Sequence, residues 1–367
     1  MTKRHLVYIA VSLGGVIFGY NTTAVSAHLD ILDSVLRVVP ESLEETLITT
    51  VLLFGAAVGA LITGVLVDKI GRKRMLSTLA VFSILASISV ELIDSYLVFL
   101  LVRLVLGIAV GGFSVAVPVY LSEVAPLKRR GKVIYLNQVF IALGVLLGYS
   151  INSWLVSSHL NSWNSSYGWK IGLVLAVIPS VILALCLVFV PESPRYLIKI
   201  GKVDAAKKTL LSFDIDENEI DESIVHITKS FKRKGKTASA FAKRVRPGLV
   251  MAIGLAILQQ AIGVNAVVYY VPRILRESGV DYLGQQWISI SVFALGFFAT
   301  VAGVFLVEKL PRKRWLIIGA VILAADLALF WVISLVFGQD QSSAWGLILA
   351  LLIVFVVVFN LTWGAQY

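Results

Sequence analysis

The chain has 367 residues and a formal charge of +10, with 58% hydrophobic and only 15% charged residues. Soluble domains hold about 45 to 50% apolar and about 25% charged residues, so this composition, with a mean hydropathy of +0.89, excludes a water-soluble fold of this size. The single cysteine, Cys186, lies in an apolar block, which excludes an intramolecular disulfide framework and fits a small buried hydrophobe.

The apolar residues are gathered into blocks near the ~20 residues that carry a helix across a ~30 Å hydrocarbon layer. Backbone groups in lipid must be satisfied within their own segment, so each block is expected to be a helix. Ten spans are predicted, at residues 6–26, 46–67, 75–92, 97–121, 132–155, 169–190, 247–271, 284–307, 315–337 and 344–367. The fold class is therefore an all-α membrane protein.

Span one follows Lys3 and Arg4 and imitates a cleavable signal, but it exceeds the usual apolar core of such signals and carries Asn21, Thr22 and Thr23. It is expected to be a retained helix. Glu91 and Asp94 close span three at the interface. Arg103 lies a few positions into span four, at about the depth of Asn21 in span one, so the two side chains can meet across the bundle. An intramembrane arginine either pairs in this way or snorkels outward, and both readings stand. Asn21 cannot take up a proton. Asp326, midway along span nine, is either a proton site or a polar contact between helices.

Span seven carries Gln259, Gln260 and Asn265, then Tyr269 and Tyr270. On an ideal helix Gln260 and Asn265 stand about 140° apart, so both reach one cavity only where the helix is loosened, which Gly263 permits. Carboxamides offer donors and acceptors together, which suits the hydroxyls of a neutral polyol, and aromatic rings can cover its C–H faces. The alternative use of such amides is helix-to-helix contact, worth only ~0.6 kcal/mol each on average. The lack of a charge cluster argues against ionic substrates.

Charge placement sets the orientation. Residues 1–5, 68–74, 122–132, 191–246 and 308–314 lie on one side and hold 27 of the 32 Lys and Arg, which predicts that side and the N-terminus to be cytoplasmic. The net charge then needs no nucleic-acid partner. Residues 191–246, with 13 basic and 8 acidic residues, read as a solvated linker, with short helices over 203–211 and 214–222 and a basic stretch over 229–236.

The sequence also repeats. Gly64-Val-Leu-Val-Asp68-Lys-Ile-Gly71-Arg72-Lys73-Arg74 returns 240 residues later as Val304-Phe-Leu-Val-Glu308-Lys-Leu-Pro311-Arg312-Lys313-Arg314, identical at six of eleven positions. The copies follow spans two and eight, so the repeating unit has six spans and both copies face one side. This predicts two six-helix bundles: residues 1–190, then the linker 191–246, then residues 247–367 as an incomplete second bundle. No nucleophile, base and orienting group fall at workable spacing, so no enzyme activity, cofactor or metal site is expected.

With these motifs in hand, the sequence resembles the sugar porter family of the major facilitator superfamily, which comprises glucose-transporter-like facilitators and bacterial sugar/proton symporters. The likeness rests on Gly15 to Asn21, on Gly64 to Lys73, and on Arg103 through Pro118, Glu123 and Pro126 to Arg130-Gly131. It continues through Pro191-Glu192-Ser193-Pro194-Arg195, Asn137-Gln138, Gln259 to Asn265 and Tyr269-Tyr270. It implies that Phe18, Gln138, Gln259, Gln260 and Asn265 form the sugar site and that Tyr269 and Tyr270 form an outer gate. It implies a cytoplasmic ion-pair network of Asp68, Arg72, Glu123, Arg130, Glu192, Arg195, Glu308 and Arg312 that switches between states. Symporter-like members have an aspartate where Asn21 stands here, so the Asn21 and Arg103 pair points to facilitated diffusion.

Three positions depart from the family pattern. Gly296 stands where span eight usually has a sugar-binding asparagine. Pro311 replaces the motif glycine. The Gly-Pro-x-x-Trp of span ten reads Gly364-Ala365-Gln366-Tyr367, with Trp363 as a partial substitute for the tryptophan. Family members have twelve spans, so the sequence reads as a ten-span portion. The expectation is a carrier of a neutral hexose or pentose by alternating access, in the plasma (bacterial inner) membrane, with sugar and lipid as its partners and a monomer as the simplest assembly. Proton symport, and a transporter-like sensor or inactive remnant, are the alternatives.

Overall fold

A computed structural model describes residues 3–40, 42–126, 129–157, 167–213, 220–221, 224–225, 227–229, 246–306, 311–337 and 344–364. Glu308 and most of the two stretches 214–222 and 229–236 lie outside the described residues. The described residues form helices joined by short turns, with no strand among them. In chain order these are α1 (Lys3–Thr23), α2 (Leu29–Leu36), α3 (Leu43–Ile70), α4 (Arg72–Ile88), α5 (Tyr96–Val124), α6 (Arg130–Ser157), α7 (Trp169–Val174) and α8 (Val177–Phe189). They continue as α9 (Pro194–Lys199), α10 (Val203–Leu211), α11 (Arg246–Ala261), α12 (Val264–Glu277), α13 (Tyr282–Leu306), α14 (Arg312–Phe337) and α15 (Trp345–Leu361).

Nine helical segments among the described residues are long and apolar enough to cross a membrane, and α15 is a shorter apolar tenth. They correspond one by one to the ten expected spans. The first is a packed member of the bundle, with Val11, Ile17 and Asn21 buried, as expected of a retained helix. The expected surface helix over 203–211 is α10.

Two helix pairs carry the closest packing, α3 with α5 and α1 with α6. Without a hydrophobic difference between lipid and a neighbouring helix, association relies on close van der Waals contact, which small residues permit. Gly55 and Gly59 on α3 face Gly107 and Gly111 on α5, each pair spaced four apart on one helix face. A Cβ on Gly111 would overlap the Ala56 carbonyl oxygen, and one on Gly59 would overlap that of Ile108. On the other pair, Gly19 abuts the Ile141 carbonyl and Gly144 that of Val16. Broad side chains, including Phe113, Val117 and Tyr120, fill the space between the pairs.

The turn between α3 and α4 is fixed differently. Gly71 has φ 98° and ψ 157°, a conformation open essentially to glycine alone. A Cβ there would also stand 2.6 Å from Glu192 Oε2 and 2.8 Å from the Tyr196 ring. At the repeat position Pro311 holds φ near −65° by its ring, so the second copy of this turn cannot share that geometry. Instead Pro311 directly precedes α14, and its carbonyl accepts the N–H groups of Arg314 (2.9 Å) and Trp315 (3.3 Å).

Gly111→Val is expected to lower the unfolding temperature in detergent markedly, since overpacking costs about 1 to 3 kcal/mol even where side chains can yield and here a backbone is in the way. Gly64→Val, at a position with nothing within 4 Å, is expected to leave it unchanged. Equal unfolding temperatures for the two variants would contradict the packing described.

Candidate functional site

A cavity of about 670 Å³ lies among α1, α3, α5, α6, α11, α12, α13 and α15, within the ~300 to 1,000 Å³ typical of small-molecule sites. Its polar lining is carboxamide and hydroxyl: Asn137, Gln138, Gln259, Gln260, Asn265, Asn360, Thr22 and Ser114. Phe18, Phe293, Phe297 and Phe359 supply aromatic faces, and no lining residue is charged. All five expected sugar-site residues, Phe18, Gln138, Gln259, Gln260 and Asn265, therefore meet on one wall-to-wall void. The arrangement provides hydrogen bonds in both senses to an uncharged ligand and has no group equipped for covalent chemistry.

The loosening expected at Gly263 is present. α11 stops at Ala261, Gly263 adopts a left-handed conformation (φ 85°), and α12 starts at Val264. Across this break Asn265 Nδ2 donates to Gln260 Oε1 at 2.7 Å. The backbone irregularity sits beside the cavity, where broken helices at membrane depth are tolerated. Gln259 Nε2 donates to the Trp363 carbonyl at 3.0 Å, tying α11 to the turn after α15. The buried acceptors Asn137 Oδ1 and Gln138 Oε1 have no hydrogen-bond partner among the described residues.

Asn21 and Arg103 meet, but not through the asparagine side chain. Both Arg103 terminal nitrogens donate to the Asn21 backbone carbonyl at 3.1 Å, while Asn21 Nδ2 donates to Ile17 O at 2.9 Å. Each residue is 1% exposed, which overturns the snorkelling alternative for Arg103.

Tyr269 is buried, and Tyr270 packs against the apolar cluster formed by Tyr20, Val25, Leu29 and Trp169. At this end, opposite Lys3, Ser26 Oγ donates to Tyr269 O (2.7 Å) and Val268 O (3.3 Å). Arg273 on α12 pairs with Glu45 on α3, whose side chain is 1% exposed. Tyr149 Oη (3.1 Å) and Ser153 Oγ both donate to Gln286 Oε1, linking α6 to α13. The first six spans and the later ones are thus joined here by several independent contacts.

At the other end the basic motif closes into a cluster. Arg72 Nη2 donates to Asp68 Oδ1 (2.5 Å) and Glu123 Oε1 (2.9 Å), and Arg72 Nε lies 2.9 Å from Glu123 Oε2. Ser193 Oγ donates to Glu123 Oε2 (2.5 Å), and Arg195 Nε stands 3.9 Å from Glu123 Oε1. Glu192 Oε1 accepts the backbone N–H groups of Arg72 (3.0 Å), Lys73 (3.0 Å) and Ser193 (2.8 Å), capping the N-terminus of α4. Arg130 starts α6 on the exposed surface and forms no ion pair among the described residues, because Arg72 occupies the Glu123 carboxylate instead. Arg312 opens α14, while its expected partner Glu308 lies outside the described residues.

Two features escaped the reading of the sequence. Asn360 lines the cavity, although in sequence it is one amide within a continuous apolar run. Trp363, considered there as a substitute for the family's tryptophan, instead turns its indole to α14, where Nε1 donates to Leu316 O at 3.2 Å.

The model of the sugar (and other) transporter family matches residues 7–366. The probable metabolite transport protein CsbC of Bacillus subtilis is 31% identical over 365 residues, covering 99% of this chain and 77% of its own length. The glucose transporter GlcP of Staphylococcus epidermidis is 32% identical over 364 residues, covering 99% and 78%. Among solved structures, the proton:xylose symporter XylE of E. coli bound to 6-bromo-6-deoxy-D-glucose superposes with a TM-score of 0.86 at 26% identity, covering 99% of this chain and 80% of that one. The chain therefore belongs to the sugar (and other) transporter family and is a multi-pass membrane transporter with the major facilitator fold.

Proposed function

We propose that the chain carries a neutral monosaccharide, a hexose or a pentose, across the plasma membrane by alternating access and facilitated diffusion. The observation that carries this reading is the uncharged cavity whose polar lining is carboxamide and hydroxyl and whose faces are aromatic. The glucose and xylose transporters among its relatives support the substrate class. The concentration of basic residues supports a cytoplasmic N-terminus and a cytoplasmic location for the Arg72 cluster.

In this scheme residues 1–190 and 247–367 move against each other, with 191–246 as linker. The contacts of Ser26, Glu45, Tyr149 and Ser153 with the later spans hold the outer side closed, with Tyr269 and Tyr270 as the gate. Opening outward breaks them, and the buried Glu45 and Arg273 charges regain water. At the other end Asp68, Arg72, Glu123, Glu192 and Arg195 cluster within the first six spans and α9, with Arg130, Glu308 and Arg312 as the further charges of the switch when that side closes, and a sugar shifts the balance only through its different affinity for the two states.

Asn21 supports uniport, because the residue facing Arg103 has no proton to exchange. Asp326 favours the second reading, proton symport: its carboxyl is buried and its Oδ1 has no partner among the described residues. It does not line the cavity, so it is the weaker candidate for coupling.

Gln138→Ala is expected to raise the half-saturation concentration for sugar counterflow in proteoliposomes about tenfold, the equivalent of one lost hydrogen bond to a buried acceptor; unchanged kinetics would remove that wall from the site. Sugar-induced alkalinisation of the medium is expected to be absent in the parent and to emerge in Asn21→Asp; alkalinisation by the parent would establish symport. Arg273→Gln, in a background with Ala57→Cys and Cys186→Ser, is expected to increase labelling of the cavity thiol by an impermeant reagent from the outer side, and equal labelling would exclude the Glu45 contact as part of the closure.

A further inference from the structure

Between α1 and α2 the chain makes one 3-10 turn, Ser26–His28. At three residues per turn its side chains point in three directions. Two of them meet the later spans: Ser26 Oγ donates to Tyr269 O (2.7 Å) and Val268 O (3.3 Å), and Ala27 shares a buried cluster with Val271 and Leu275. His28 points the other way, into the first six spans, where it is 1% exposed.

The partners of His28 fix where its proton sits. Asn152 Nδ2 donates to Gly148 O (2.7 Å) and to Tyr20 Oη (3.1 Å), and the Tyr20 hydroxyl donates to Gly172 O (2.7 Å). Asn152 Oδ1 is thereby turned to His28 Nε2 at 2.7 Å, so the ring proton is on Nε2. The other ring nitrogen, Nδ1, is buried and has no hydrogen-bond partner among the described residues. Gly172 makes the room for this pair, since a Cβ there would overlap Asn152 Oδ1 and stand 2.6 Å from His28 Nε2. A doubly protonated ring would add an N–H at Nδ1 with no acceptor and a buried charge with no counter-ion, so this arrangement admits only the neutral form.

The charged groups on the surrounding elements are engaged elsewhere or exposed. On α7, Lys170 Nζ donates to Glu91 O; on α12, Arg273 pairs with Glu45 and Glu277, and Arg276 is exposed; on α5, Arg103 is bound to Asn21 O. The other titratable side chains nearby are the phenols of Tyr20, Tyr149, Tyr269 and Tyr270, while α2 carries Asp30 and Asp33.

We propose that His28 is an acid-sensitive element of the outer closure: its neutral ring seats the Ser26–His28 turn so that Ser26 and Ala27 meet α12, and external acid favours the outward-open state. When α12 leaves the turn, water reaches the ring and a proton can bind. The closed arrangement takes none, so closure is at full strength above about pH 6.5, the ordinary imidazole value, and weakens as the medium is acidified below it. The proton enters and leaves from the same side, so acid regulates the carrier without being carried. This inference rests on the alternating-access reading.

The test is labelling of the cavity thiol in Ala57→Cys with Cys186→Ser, by an impermeant reagent added to intact cells at external pH of about 7.5 and about 5.5, a span that brackets imidazole titration. Unfolding temperature is the control for folding. His28→Gln keeps an N–H for Asn152 and cannot titrate, so it also corrects for the pH dependence of the thiol itself. Relative to that variant, the parent is expected to label up to about tenfold faster at the lower pH, the factor by which an ordinary imidazole gains protons across this span. Asn152→Asp offers the imidazolium a carboxylate inside the closed arrangement and is expected to remove the acid response. Asp30→Asn and Asp33→Asn are expected to keep it, and its loss in either would overturn the assignment to His28. A parent indifferent to pH, or an acid response undiminished in His28→Gln, would overturn the proposal as well, the latter by giving the response to another group such as Glu45. Labelling raised by Arg273→Gln with no acid response in the parent would leave alternating access standing, whereas labelling unmoved by acid, by sugar and by Arg273→Gln would remove both readings. If His28→Gln does not fold, Asn152→Asp decides by the same comparison.

Discussion

In hydrocarbon a peptide group without a partner is so costly that a chain crossing it has little choice but to run as unbroken helix. The organisation of this protein follows from that constraint. Its ten apolar segments are helical through most of their length, with span six interrupted between α7 and α8 and span seven at Gly263, the latter flanked by the cavity-lining Gln260 and Val264. A break there does two things together: it relieves the 3.6-residue periodicity, and it lets Gln260 and Asn265, which a regular helix would point apart, touch each other beside one void. Part of the polar lining of the cavity is thus placed by a local exception to helical order.

Glycine plays a second role, in close packing. The α3 and α5 pair and the α1 and α6 pair approach until backbone meets backbone, which only a missing Cβ allows. Helices so fused act as stiff units, and the void remains between these units and the later spans. The contacts between units are mixed: hydroxyl to carbonyl, hydroxyl to amide and the Glu45 and Arg273 charge pair stand beside apolar packing of Tyr149 on Phe293 and of Tyr270 on Tyr20, Val25 and Leu29. The polar ones can exchange with water and none brings backbone against backbone, whereas the glycine seams do. That contrast in bonding is what a carrier moving by relative motion of stiff bundles would need.

Charge serves a third purpose at the basic end. Arg72 and Glu123 are both largely withdrawn from water and satisfy each other, with Asp68, Ser193 and Arg195 around them, while Glu192 caps α4 through backbone donors. Removing one member of a buried pair strands the other, a penalty of about 3 to 5 kcal/mol in comparable settings. The motif thus fixes the corner where α3, α4, α5 and α9 meet, and any switching role would be built on that corner. The buried Arg103 is treated more sparingly, with a single backbone carbonyl taking both terminal nitrogens.

Much of this was legible in the residues themselves. Length and apolarity of the blocks determined the spans, basic residues the orientation to be tested, the duplicated motif the six-span unit, and Gly263 the break in span seven, because each depends on composition or local backbone preference. Asn360 was not legible: an isolated amide in an apolar run reads the same whether it faces lipid, a neighbour or a void. Nor could the sequence tell that Arg130 would stand apart from Glu123, that Trp363 would turn to α14, or that Arg103 would bind a carbonyl instead of the Asn21 amide. Local rules settle where helices begin, end and bend; which face of each helix meets which partner is decided only when the helices pack, since it depends on rotation and depth that no single segment encodes.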